Sequence, residues 1–162
     1  MKQFVVAFDL DGTLIDSEHR CNQWGDNSKG VDVQYWIENS TRERIFQDSL
    51  LPLVEMYYEF KKTNYTLIAV TAREMTVHDM DFLEHHGIDF KMVLHRGDNR
   101  ELDHIIKEKK LNELFESGEY IPFLAFDDKE ENLEVFKKFG FRTFNAAKLN
   151  TVKLIAIFFI SD

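Results

Sequence analysis

Residues 8–16 read FDLDGTLID. Two aspartates, Asp9 and Asp11, stand one residue apart at the end of a hydrophobic run and lead directly into Gly12 and Thr13. The run before them, KQFVVAF, is dominated by apolar and β-branched residues, which predicts a strand buried on both faces. Asp9 and Asp11 then leave that strand at its carboxyl end, where they repel each other unless a cation or a shared proton intervenes. So unfavourable an arrangement asks for a functional reason.

The chain has 162 residues, enough for one domain with a sizeable core, and its 44% apolar content with 15 phenylalanines supplies the material for it. A net charge of −9 disfavours nonspecific binding to nucleic acid or anionic membranes, both of which reward excess Lys and Arg. It leaves room for a local basic pocket that holds one phosphate. The single cysteine, Cys21, forbids an internal disulfide and fits a reducing compartment, and nothing beside it marks an activated thiol. No signal region precedes the first strand, and the longest apolar run, VKLIAIFFI near the C-terminus, falls well short of the ~20 residues that span a bilayer. These features predict a soluble, cytoplasmic chain without a membrane partner.

Short apolar runs alternate with amphipathic stretches, the pattern of an α/β sheet with helices on both faces. Strands are predicted at 4–8, 65–70, 90–94, 121–126 and 141–144. Helices are predicted in LPLVEMYYEFKK, in EMTVHDMDFLEHHG ending at Gly87, in ELDHIIKEKKLNELFES, and in KEENLEVFKKFG ending at Gly140. Residues 17–50 break the alternation. That stretch is polar, holds both tryptophans, Trp24 and Trp36, and reads as a small cap over the end of the first strand within a single domain of residues 1–162.

Other strands also end in residues suited to phosphate chemistry. TLIAV runs into Thr71, Ala72 and Arg73, and IPFLAF runs into Asp127 and Asp128. In a parallel sheet all carboxyl ends share one edge, where ligands bind at the switch point. Asp9, Asp11, Thr71, Arg73, Asp127 and Asp128 are therefore expected to converge. Gathered carboxylates make the hard-oxygen site that Mg²⁺ prefers. Singly, a DD pair after a strand reads as turn or N-cap chemistry; together with DxDGT and TAR it does not.

DLDGTLID resembles the first motif of the haloacid-dehalogenase-like superfamily of phosphohydrolases; Thr71 in VTAR matches the second motif, Lys107 is the candidate for the third, and FDDKEEN matches the fourth. More narrowly, DLDGTLID followed by HR, VTARE, RGDNRELDHIIK and AFDDKEENLEVFKKFGF look like the 3′-phosphatase domain of phage polynucleotide kinases. The resemblance implies a three-layer Rossmann-like fold with a small insertion cap after the first strand. It implies Asp9 as nucleophile forming an aspartyl-phosphate, and Asp11 as the acid for the leaving oxygen and then the base for water. It also implies Mg²⁺ on the Asp9 carboxylate, the Asp11 carbonyl and Asp127 with Asp128 close by, and phosphoryl contacts from Thr71 and Lys107. Dehalogenases lack an acid at the Asp11 position and ion-pumping ATPases carry Thr there, so Asp11 favours phosphomonoester hydrolysis. The expected substrate is a 3′-phosphate on a nucleic acid end or nucleotide, without stable sequence-specific binding; the alternatives are a small free nucleotide or sugar phosphate, or a slow phospho-acceptor module. A phage-encoded member would work in the host cytoplasm.

From the residues alone, Lys91, Lys109 and Lys110 compete with Lys107. Arg73 and Arg96 suit a phosphate clamp, with Gly12 beside the phosphate, but Arg73 equally suits a helix-entry salt bridge. Arg100 is a weaker candidate. His85 and His86 read as a helix end, and no histidine has zinc-site spacing. Trp24, Tyr35 and Trp36 either stack on a base or sugar or form the insertion's own core. No GxxxxGK[ST] loop occurs, so no ATP-dependent kinase activity is expected. The C-terminal VKLIAIFFISD suggests an edge strand or self-association surface, and the oligomeric state is left open.

Overall fold

The computed structural model describes residues 2–21 and 33–151. Trp24 and the C-terminal VKLIAIFFISD lie outside the described residues. Five parallel strands form the main sheet: β1 (Gln3–Phe8), β4 (Thr66–Val70), β5 (Met92–Leu94), β6 (Tyr120–Asp127) and β7 (Arg142–Asn145), in the order β5-β4-β1-β6-β7. The first strand is thus the middle one, flanked by β4 on one edge and β6 on the other. All five predicted strands are present, within a residue or two of their predicted limits.

Alternation along β1 sorts the core into two layers. Val6 and Phe8 face one cluster, with Val54 and Tyr57 of α3 (Val54–Lys61) and Phe82 and Leu83 of α4 (Val77–His85). Val5 and Ala7 face the other, with Leu111 and Leu114 of α5 (Asp103–Glu116) and Val135 and Phe136 of α6 (Glu130–Lys138). Helices on both faces of a parallel sheet make the three-layer α/β fold read from the sequence. Aromatic rings tie neighbouring strands together: Phe8 stacks on Phe126 at 4.9 Å, and Phe126 on Phe144 at 5.3 Å. Pro122 sits in β6 beside a shift in register opposite Val5 and Val6, a place where a residue without an N–H is tolerated.

Local signals end the helices where the sequence placed the stops. After α4, Ile88 N–H donates to Leu83 O and Gly87 N–H to Glu84 O; Phe141 and Gly140 repeat the pattern after α6. Thr76 and Asp79 form a reciprocal capping box at the start of α4.

Within 17–50, the described residues form a 3₁₀ turn (Glu18–Arg20), α1 (Val33–Glu38) and α2 (Arg42–Ile45). The ends of the insertion are drawn together by an antiparallel pair, β2 (Ile15–Asp16) with β3 (Ser49–Leu50). Outside the insertion one helix was not expected, α7 (Ala146–Thr151). It docks through Asn150, whose amide donates to Thr13 O at 3.0 Å and whose oxygen accepts from Leu53 N–H at 2.8 Å.

Phe8 is fully buried in this aromatic ladder. Phe8→Ala should lower the unfolding free energy by about 3–5 kcal/mol in urea titrations; a loss below about 1 kcal/mol would show that the ladder does not organise the core.

Candidate active site

Asp9 leaves the end of β1 with its N–H donating to Phe126 O of β6, which fixes it beside the end of that strand. The next turn closes on Leu10 O, which accepts from Thr13, Leu14 and Ile15 N–H. Gly12 allows the turn through a positive φ of 72°, and a Cβ there would lie 2.6 Å from Asp128 Oδ2. The glycine is therefore needed for the close approach of the DGT turn to the β6–α6 loop.

Two strand ends and one helix meet at a buried charge cluster. Lys107 of α5 is 1% exposed and donates from Nζ to Asp9 Oδ1 at 2.8 Å and to Asp127 Oδ2 at 2.5 Å. Asp127 Oδ1 accepts from Asn132 Nδ2 at 2.9 Å and Lys129 N–H at 3.0 Å. Lys91 and Lys109 are exposed and Lys110 pairs with Glu113, so of the four lysines only Lys107 reaches the cluster. Burial pushes the Asp9 carboxyl well above the usual carboxylate range, against the pull of Lys107 and helped by Asp127, Asp128 and Asp11. Burial and the Asp127 charge push Asp128 up to about 6.

Asp9, Asp127 and Asp128 each offer an oxygen, all within 4.8 Å of one another. Asp128 Oδ1 is buried and has no hydrogen-bond partner among the described residues. Crowded carboxylates of raised proton affinity with an orphaned acceptor fit a hard divalent cation, whose charge would favour their ionised forms.

Asp11 turns its side chain elsewhere. Its Oδ1 accepts from Arg73 Nη2 at 2.5 Å and from Ser17 Oγ at 2.5 Å, and its Oδ2 from Arg73 Nε at 3.1 Å. Burial opposes ionisation of Asp11, but the Arg73 charge and these hydrogen bonds outweigh it and hold the carboxyl below its usual range. The Asp11 carboxylate is accordingly outside the three-carboxylate group.

Thr71 is buried at the end of β4, where its Oγ1 accepts from Arg73 N–H at 3.0 Å. Arg73 is also buried; beyond Asp11 it pairs with Asp79 in α4 at 2.7 Å, which is the helix-entry salt bridge. Arg96 lines the same pocket, but its guanidinium is engaged by the carbonyls of Ala72, Asn99 and Glu101 and by Asp103. In this arrangement it braces the loop after β5. Arg100 pairs at the surface with Glu74.

A second set of residues lies in the insertion; of these only the HR pair, His19 and Arg20, was marked in the sequence, and without a role. Fully buried Arg20 makes a bidentate pair with Asp48 at 2.9 and 2.8 Å and donates to Ser40 at 3.0 Å. Asp48 also lies 3.5 Å from Arg73 Nη2 and 2.8 Å from His19 Nε2. The chain Asp11–Arg73–Asp48–Arg20 thus joins the site to the insertion. Asp79 was legible through the T-x-x-D spacing of a capping box; Asp48 carries no local signal. Cys21 also lines the pocket, its thiol pushed up to about 11 by burial and by Asp11, which keeps it protonated and unreactive.

Asp9, Asp11, Thr71, Arg73, Lys107 and Asp128 border one cavity of about 520 Å³ at the carboxyl edge of the sheet. The fold, a five-stranded parallel sheet with helices on both faces, is the one seen in solved haloacid dehalogenase-like hydrolases. A sequence-family model described as "Bacteriophage T5 5'-deoxynucleotidase" matches residues 1–162, and the chain belongs to that family. The chain is a phosphoric monoester hydrolase. It is 27% identical over 180 residues to the 5'-deoxynucleotidase of Escherichia phage T5, covering 98% of this chain and 73% of that protein. Among solved structures, it is similar to a haloacid dehalogenase-like family hydrolase from Streptococcus pneumoniae, with a TM-score of 0.65, 15% identity and 93% and 92% of the two chains covered. A chain of the Pnkp1/Rnl/Hen1 RNA repair complex aligns with a TM-score of 0.64 and 24% identity, over 89% of this chain and 42% of that one. Both likenesses concern the fold. No helix among the described residues is long and apolar enough to cross a membrane.

Lys107 is the cation that holds Asp9 and Asp127 together. Lys107→Met leaves two buried carboxylates facing each other and should cost about 3–5 kcal/mol of stability in chelator. Chemical denaturation measures this, and an unchanged midpoint would mean that the pair is not buried as described.

Proposed function

We propose that the protein is a Mg²⁺-dependent phosphatase of free nucleotides, with 2′-deoxynucleoside 5′-monophosphates as preferred substrates. The observation that carries the phosphatase mechanism is the approach of Asp9, Asp127 and Asp128 around one point with Lys107 between two of them. The substrate class is supported by membership of the phage T5 5'-deoxynucleotidase family. A net charge of −9 also suits a small anion held in a local pocket better than a long nucleic acid.

Asp9 is the nucleophile. Its carboxylate attacks phosphorus, the bond from phosphorus to the leaving oxygen breaks, and an aspartyl-phosphate forms. Thr71 and Lys107 receive the phosphoryl oxygens, as the preorganised donors that phosphoryl transfer chiefly requires. Mg²⁺ held by Asp9, Asp127, Asp128 and the Asp11 carbonyl would supply charge neutralisation at these oxygens.

Asp11 serves the leaving group and then water. Its ionised state in the free protein suits the second half of the cycle, in which it takes a proton from the water that hydrolyses the intermediate. For the first half it must hold a proton, and the approach of a phosphate dianion raises its proton affinity in the direction required. Arg73 and Ser17 fix its position meanwhile.

Phosphate release, with Mg²⁺ and with chelator, should be fastest from a deoxynucleoside 5′-monophosphate, slower from the 3′-isomer, and slowest from an oligonucleotide 3′-phosphate. A preference for the oligonucleotide would restore the end-processing reading that the sequence motifs suggested. Asp9→Asn should reduce turnover by at least about a thousandfold without unfolding, since the amide is nearly the same shape but a poor nucleophile. Appreciable residual turnover would exclude the covalent route.

A further inference from the structure

Trp36 of α1 is 8% exposed, lines the pocket, and carries an indole N–H that meets no acceptor among the described residues. Buried donors are nearly always paired, so an unpaired one at a binding cavity calls for an acceptor that arrives with a ligand.

The ring is already in contact with two cations. The Arg20 guanidinium lies 4.3 Å from the ring centroid and that of Arg73 lies 5.5 Å away. Arg20 is itself fixed by Asp48 and Ser40, so a base stacking there would have to displace a buried, fully engaged cation. What Trp36 has free is its edge.

The cavity wall says which part of a substrate this edge meets. The phosphoryl group belongs to Asp9, Thr71 and Lys107, and the leaving oxygen belongs to Asp11, which Arg73 connects to Trp36. Ser17, Cys21, Trp36 and Ile37 of the insertion line the same cavity, as do Ala147 and Asn150 of α7, and so offer wall for the remainder of the leaving group. In a nucleoside 5′-phosphate the leaving oxygen is bonded to C5′ of the pentose, one carbon away from the furanose ring. We infer that Trp36 Nε1–H donates a hydrogen bond to an oxygen of that pentose, making Trp36 a specificity residue that recognises the sugar by its edge. The inference rests on the nucleotide-phosphatase reading above.

Trp36→Phe keeps an aromatic face beneath Arg20 and removes only the donor. The full-length protein with Mg²⁺ is assayed on 2′-deoxyadenosine 5′-monophosphate, on 2-deoxyribose 5-phosphate, which lacks the base, and on 4-nitrophenyl phosphate, which lacks the sugar. W36F should lower kcat/KM for both sugar phosphates by about fivefold relative to the aryl phosphate, the loss expected of one neutral hydrogen bond. An equal loss on all three substrates would make Trp36 purely structural, and no loss on any would leave its donor unused; either overturns the inference. A loss confined to the nucleotide would move the acceptor to the base and overturns it too. If W36F fails to fold, the wild type decides: equal kcat/KM for 2-deoxyribose 5-phosphate and cyclopentylmethyl phosphate would show that no sugar oxygen is recognised. Wild-type turnover of the aryl phosphate without the nucleotide would instead sink the proposed function, whereas good nucleotide turnover with an undisturbed ratio in W36F sinks this inference alone.

Discussion

Lys107 places its ammonium between Asp9 and Asp127, carboxylates on adjacent strands, in a pocket floor where all three groups are nearly closed to water. Without that charge the sheet would bring like charges together at the ends of β1 and β6 with nothing to offset them. The sheet order makes the crowding unavoidable, because β1 runs beside β6 and both deliver aspartate at the same edge. The same crowding is what a phosphatase needs: carboxylates that favour a divalent cation, and a lysine ready to face the phosphoryl oxygens. Structure and chemistry here share one electrostatic constraint.

The insertion is held by a second ionic arrangement. Arg20, Asp48 and Arg73 are buried, Asp48 lies within ion-pair reach of both arginines, and both guanidinium groups lie against Trp36. In such a network each charge is stabilised by the next, and removal of any member leaves its neighbour unpaired. The polar composition of residues 17–50, which looks unsuited to a core, therefore still builds one, with guanidinium groups and an indole in place of aliphatic side chains.

Much of this was legible along the chain. VVAF, TLIAV and FLAF are apolar runs bounded by turn residues, and their polar continuations mark one edge of a parallel sheet. Gly87 and Gly140 announced helix ends that the structure realises as paired 6→1 and 5→2 hydrogen bonds. Lys107 was different: helical periodicity treats a lysine in α5 as solvated, and only the packing of α5 against β6 turns it inward. Arg20 and Asp48 stand 28 residues apart in a segment with no period, so their bidentate pairing had no local signature. The six-residue α7 was overlooked because AAKLNT is short and weakly apolar; its position depends on Asn150 meeting backbone groups of Thr13 and Leu53, contacts that no local pattern encodes.

The central place of β1 has a consequence for the order in which the molecule can be made. The strand β1 pairs with Thr66–Ala69 on one side and with Tyr120–Phe126 on the other, so both its edges wait for chain synthesised after it. Local helices can form early, but the sheet closes only through contacts of long sequence separation, the slow kind. Asp9 and Lys107 lie on opposite sides of that wait, and the Asn150 latch comes later still. A growing chain thus gains the β4 side of β1 well before the β6 side, and Asp9, Lys107 and Asp127 come together only once β6 has been made.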